Sequence, residues 1–135
     1  MILVDSSVWI DFFRANETPQ TIKLKSLLGI EQVAVGDLIL AEVLQGCHQP
    51  GSFDSTRKAL DRLEFIQLCA YRVSIEAAAN FLKLRALGYT IRKTIDTIIA
   101  TKCILSGIEL LHNDRDFLPF EKHLGLKSVI PTTDN

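Results

Sequence analysis

The sequence predicts an α/β layer sandwich, a mostly parallel central sheet flanked by helices. Short, continuous apolar runs such as Ile2-Leu3-Val4 and Val33-Ala34-Val35 read as strands covered on both faces. Longer segments with apolar residues at helical spacing separate them, and strands alternating with helices are the pattern of parallel sheets. The 135 residues suffice for one domain with a sizeable core, taken as 1–135 with 131–135 as a candidate disordered tail.

The first strand, Ile2-Leu3-Val4, runs into Asp5-Ser6-Ser7 and a helical segment containing Val8, Trp9, Ile10, Phe12 and Phe13. Thr18-Pro19 reads as a cap and first turn, with Ile22, Leu24, Leu27 and Leu28 on the apolar side and Gly29 as the stop. After the second strand, Asp37 is placed to cap a helix from Leu38 to Gly46. Gln49-Pro50-Gly51-Ser52 has loop chemistry, followed by a helix over 54–63 and a strand at Phe65-Ile66-Gln67-Leu68. Ser74 opens a long helix that stops at Gly88, and a further helix covers 94–105. Glu109-Leu110-Leu111 is the fourth strand candidate and Lys127-Ser128-Val129-Ile130 the fifth.

Composition narrows the function classes without choosing one. The opening residues have no basic region and too short an apolar stretch for a signal peptide. The apolar runs fall well short of the roughly 18–20 residues that span a bilayer. Cys47, Cys69 and Cys103 are odd in number and form no CxxC pair, which points to a reducing cytoplasm rather than a disulfide framework. A net charge of −1 gives no basic footprint for nucleic acid, although acidic ligands would mask basic contacts in the total.

In open parallel sheets, sites gather where strands end and strand order reverses. Asp5 follows the first strand, and Asp114 and Asp116 follow the fourth. Glu42, with Leu38, Ala41 and Gln45 around it on its helix, sits at or beside the apolar stripe. Asp96 lies in the first turn of a helix whose inner side carries Ile95, Ile98, Ile99 and Cys103. Each acid alone has an ordinary structural role: Asp5 as a cap, Asp96 as a dipole partner, Asp114 or Asp116 in a turn, Glu42 on a surface. Together they are costly, because clustered carboxylates repel and burial adds desolvation. A hard divalent cation makes such a cluster tolerable, and oxygen-only ligation favours Mg2+ or Mn2+ over zinc.

Four segments carry a family resemblance: 2–14 with its Val4-Asp5-Ser6-Ser7 core, Leu40-Ala41-Glu42-Val43, Thr94-Ile95-Asp96-Thr97-Ile98-Ile99-Ala100, and 110–117 ending in Asp114-Arg115-Asp116-Phe117. In that order and spacing the chain resembles the PIN domain family and, within it, the VapC toxins of bacterial and archaeal toxin–antitoxin pairs. The resemblance implies a three-layer fold and a Mg2+- or Mn2+-dependent endoribonuclease working by metal-assisted phosphodiester hydrolysis. It carries over Asp5, Glu42, Asp96 and Asp116 as catalytic acids and metal ligands, Asp114 as a further ligand, and Ser6 as a hydroxyl supporting an acid or a cation-bound water. It also implies a cognate antitoxin that covers the site, and a homodimer. Two other functions fit the same residues: a PIN-domain ribonuclease of housekeeping RNA processing, and a non-catalytic RNA-binding scaffold, against which the full acid set argues.

His112 departs from the resembled pattern, which commonly has Thr or Ser there, and is read as a strand-end residue outside the catalytic set. Arg14, Arg92 and Lys93 are candidate RNA-phosphate contacts, with solvated surface charge as the plainer reading. Trp9, Phe12 and Phe13 fit core or dimer packing better than base stacking, and Cys47-His48 fits a helix end better than a metal pair. Ser6, Ser7 and His112 form no hydrolase triad, since the Gly-x-Ser-x-Gly turn is absent.

Overall fold

A computed structural model describes residues 1–133. Strands β1 (Ile2–Val4), β2 (Val33–Gly36), β3 (Glu64–Ile66) and β4 (Glu109–Leu111) form one sheet, entirely parallel, in the order β3-β2-β1-β4. Helices α1 (Ser6–Phe13) and α2 (Pro19–Leu27) connect β1 to β2, and α3 (Asp37–Gln45) and α4 (Ser52–Leu60) connect β2 to β3. The chain then returns through α5 (Tyr71–Ala86) and α6 (Thr94–Ser106) to the other side of β1, where β4 is followed by a short 3-10 turn and α7 (Leu118–His123). Right-handed crossovers in opposite directions put α1–α4 on one face and the packed pair α5–α6 on the other. Strand order therefore reverses between β1 and β4, the place where open sheets of this kind bind ligands.

Double coverage explains the sequence of the strands. Leu3, Val4, Ala34, Leu110 and Leu111 are fully buried, and Ile39, Ile99, Phe117 and Phe120 pack over them from the helices. Burying these side chains is the main favourable contribution to folding, worth about 1.5–3 kcal/mol for each large one. Thr18 caps α2 through Thr21 in a reciprocal box, as its sequence position suggests. Buried Asn80 donates to Thr101 Oγ1 at 3.0 Å and joins α5 to α6.

Several boundaries differ from the sequence reading, each for a local reason. The third strand is the edge of the sheet; it starts at Glu64 and stops at Ile66, with Glu64 and Phe65 exposed. Leu68 leaves the ladder because its N–H donates to Asp37 Oδ1 at 3.0 Å instead of to a strand. Asp37 is thus not the cap of α3, a position taken by Gly36; it is a bracket between two strand ends. A Cβ on Gly36 would lie 2.4–2.8 Å from three carbons of the fully buried Leu68 side chain, so only glycine fits there. The fifth strand is reduced to a single parallel bridge, Leu110 with Ser128, flanked by hydrogen bonds of 2.9 Å from Leu110 N to Lys127 O and from Val129 N to Leu110 O. Helix α4 spans Ser52–Leu60 rather than 54–63, and α5 starts at Tyr71, three residues before Ser74. Of the tail at 131–135, residues 134 and 135 lie outside the described residues, while Thr132 and Thr133 both take part in hydrogen bonds.

Candidate active site

Asp5 sits where β1 becomes α1, and the local sequence fixes it there. Its backbone N–H donates to Leu111 O at 2.9 Å, tying the ends of β1 and β4 together. Its carboxylate caps α1: Oδ2 accepts from Ser7 N at 3.1 Å and from Ser7 Oγ at 2.6 Å. The same Ser7 hydroxyl oxygen accepts from Asn113 N at 3.1 Å, so one serine joins the acid after β1 to the loop after β4. The other carboxylate oxygen of Asp5, Oδ1, is buried without a partner.

Asp96 lies in the first turn of α6, its residue only 4% exposed, and its Oδ2 is likewise buried and unpartnered. Asp114 caps the 3-10 turn, accepting at Oδ1 from Asp116 N at 2.9 Å. Carboxylate oxygens of Asp96, Asp114 and Asp116 all lie within 4.8 Å of one another, from two elements far apart in the chain. Glu42 reaches in from α3, with Oε1 accepting from Ser6 Oγ at 3.2 Å. The structure therefore brings together Asp5, Glu42, Asp96, Asp114 and Asp116 at the carboxyl edge of β1 and β4. Asp5 does cap a helix and Asp114 does shape a turn, as the plainer readings of the sequence had them, and these local bonds fix where both carboxylates point.

Electrostatics bear the mark of this crowding. Burial, and then the field of Asp5 and Asp114, pushes the Asp96 carboxyl up to about 7. Burial raises Asp5 as well, against the opposing pull of its Ser7 hydrogen bonds. Burial and the neighbouring Asp5 charge raise Glu42. The proton affinity of Lys93 is raised in turn, mostly by Asp96 and Asp114, and its Nζ lies 3.8 Å from Asp114 Oδ2. The N-termini of α1 and α6 face the same region and offset part of the negative charge.

The remaining candidates separate by position. Ser6 touches Glu42, and Lys93 stands at the edge of the acids. Arg92 is exposed in the loop before α6, and Arg14 is exposed at the far end of α1, where it shares a cleft with His48 and not with the acids. Trp9 is buried, with Phe12 edge-on at a ring distance of 5.8 Å and Phe13 stacked at 5.9 Å, and His48 Nδ1 lies 2.9 Å from Gly46 O just past the end of α3.

Two groups to which the sequence reading gave no role, Ser7 and Glu121, hold the site's frame. Glu121 on α7 accepts at Oε2 from Ser128 Oγ at 2.6 Å, and its carboxylate also receives the Thr132 N–H at 3.0 Å. Burial works to raise Glu121, but bonds from Ser128, Thr132 and His112 outweigh it and hold the carboxyl below its usual range. Ser7 was adjacent to a named residue in a Ser-Ser pair, and only the capping geometry tells the two apart.

The arrangement suits a divalent cation by its own chemistry. The oxygens of Asp96, Asp114 and Asp116 are hard donors close enough to share one ion, and the buried orphan oxygens of Asp5 and Asp96 lack the hydrogen bonds that buried polar atoms normally have.

Known proteins match the chain over nearly its whole length. The PIN domain family profile matches residues 2–122. A VapC ribonuclease of Mycobacterium bovis and ribonuclease VapC11 of Mycobacterium tuberculosis are each 28% identical to the chain over 120 residues, covering 87% of it and 89% of the relative. Among solved structures, a toxin–antitoxin complex from Klebsiella pneumoniae superposes with a TM-score of 0.71 at 20% identity, covering 98% of this chain and 100% of that one. VapBC2 from Rickettsia felis, bound to a promoter DNA fragment, gives the same TM-score and identity over 95% and 97%. With its acids gathered where the strand order turns, and the family profile spanning nearly its whole length, this chain belongs to the PIN domain family.

Proposed function

We propose that the chain is a Mg2+- or Mn2+-dependent endoribonuclease, the toxin of a VapBC-type toxin–antitoxin pair, acting in the cytoplasm. The observation that carries the reading is the convergence of Asp5, Glu42, Asp96, Asp114 and Asp116, with two buried carboxylate oxygens left without a partner. The relatives named VapC ribonuclease and the fold neighbours solved as toxin–antitoxin complexes support the choice of RNA and of an antitoxin partner. No helix among the described residues is long and apolar enough to cross a membrane.

In this reading Asp96, Asp114 and Asp116, whose oxygens lie within 4.8 Å of one another, would hold the cation together with Asp5, and Glu42 would complete the negative shell. A divalent ion bound there would supply Lewis acidity toward a phosphate oxygen and would lower the pKa of water. The protein does the rest. Ser7 fixes the orientation of Asp5, and Ser6 fixes that of Glu42. Glu42, its carboxyl raised by burial and by Asp5, is placed to accept a proton at Oε2, the oxygen that Ser6 does not hold. Lys93 offers its ammonium to an incoming phosphate at the rim, and Arg92 extends that positive edge. We further propose a homodimer, supported by the exposed stripe Tyr71, Ile75 and Leu82 along α5.

The test is cleavage of a defined RNA by the purified chain in EDTA and then with Mg2+ or Mn2+ restored. Cleavage only with the cation, lost in Asp5→Asn and silenced by the co-purified antitoxin, is expected. Wild-type cleavage in EDTA, or undiminished cleavage by Asp5→Asn, overturns the reading.

A further inference from the structure

The loop after β4 has to aim Asp114 and Asp116 at Asp96 while crossing open surface, and three of its amides are held by side-chain acceptors. Asn113 N–H is held by Ser7 Oγ at 3.1 Å and Asp116 N–H by Asp114 Oδ1 at 2.9 Å. Between them, Asp114 N–H donates to His112 Nδ1 at 3.2 Å. An imidazole that accepts at Nδ1 carries its proton at Nε2 when neutral. Nε2 lies 3.2 Å from Glu121 Oε2 and 3.1 Å from Ser128 Oγ, and Ser128 in turn donates to that same carboxylate oxygen. The ring is 2% exposed and packs against Phe117 at 4.7 Å between centroids, so it has no freedom to leave this arrangement.

We propose that His112 is a positioning residue for the metal-binding turn: Nδ1 fixes the Asp114 backbone, and Glu121 with Ser128 fixes the ring. This rests on the cation reading above. The shorter hydroxyl that the resembled family commonly carries at this position is able to hold an amide beside it but not to span to α7. Here a single side chain ties the acidic turn to α7 and to the C-terminal bridge strand. Side chains that orient ligands in this manner typically change metal affinity by about 10–100-fold when lost.

Two near-isosteres separate the two ends of the ring. In His112→Asn the amide oxygen takes the place of Nδ1, keeping an acceptor for Asp114 and losing the reach to Glu121. His112→Gln keeps a group at the Nε2 position and loses the acceptor. Mn2+ binding is titrated calorimetrically on full-length wild type and both variants, with melting temperature in EDTA measured alongside. His112→Gln should bind Mn2+ about tenfold more weakly than His112→Asn even where both melt at similar temperatures. Equal Mn2+ affinities in the two variants, or affinities that simply follow the melting temperatures, overturn the assignment. Wild type that binds no Mn2+ sinks the cation reading along with it, whereas wild-type binding with no preference between the variants sinks this inference alone. Should neither His112 variant fold, Glu121→Gln replaces them: at least a severalfold loss of Mn2+ affinity supports the relay, and wild-type affinity refutes it.

Discussion

Replacing Asp96 by Asn removes one charge at nearly constant volume, and the consequence depends on pH in a defined direction. The carboxyl stands at about 7 in the folded chain against 3.8 when free. Between these values the folded state binds more protons than the unfolded one, so wild-type stability falls as pH rises through this window and levels off above about 7. Full ionisation therefore costs up to about 4 kcal/mol at pH 8, at about 1.36 kcal/mol per pH unit. Because the neighbouring acids titrate together with Asp96, a recovery of about 2–4 kcal/mol is the realistic range. Asp96→Asn should then be more stable than wild type at pH 8 in EDTA, by roughly 8–15 °C in Tm for a domain of this size. At pH 5 only the part of this cost between 3.8 and 5 has accrued, so the advantage of the variant should shrink to roughly a third, about 3–5 °C. Denaturant titration at both pH values checks the free energies, and saturating Mg2+ should stabilise wild type while leaving the variant unmoved. A stabilisation of equal size at pH 5 and pH 8, or a destabilised variant at pH 8, refutes the argument that crowding of charge sets the state of this carboxyl.

Three further outcomes follow from other contacts. Ser7→Ala removes the donor to Asp5 and the acceptor of Asn113 N–H; it should cost about 1–3 kcal/mol in urea unfolding and weaken Mg2+ binding, and an unchanged Mg2+ affinity would show that Asp5 needs no help. Gly36→Ala drives a methyl into buried Leu68 and should cost about 1–3 kcal/mol, read from the denaturation midpoint, whereas a loss below about 0.5 kcal/mol would mean that the strand ends move apart freely. Lys93→Met withdraws a cation from the rim of the acids, so Mg2+ should bind severalfold more tightly while the KM for RNA rises and its salt dependence weakens; a change in neither removes Lys93 from the site.

Much of this was legible before any coordinates. The buried strands announce themselves as unbroken apolar runs, and an acid placed directly after such a run, as Asp5 is after Val4, has few places to go. The convergence of Asp96 with Asp114 and Asp116 was open to sequence reasoning only through the expected reversal of strand order and the resemblance, because no local pattern links a helix start to a loop more than ten residues away. Ser7 and Glu121 were given no role for a physical reason: what they do depends on which hydroxyl points inward and on what α7 packs against, and neither leaves a periodic trace. The edge strand fared worst. Glu64-Phe65-Ile66 mixes a charge with apolar residues because one side of it meets solvent, and the Asp37 bracket that ends it lies about thirty residues away.

Glu121 also gives the segment after α7 a mechanical connection to the acids. Ser128 and Thr132 hang on its carboxylate, and His112 passes the tension on to Asp114. A deletion from Val129 onward, or any protein that peels this strap from the sheet, should loosen the cluster through these two side chains.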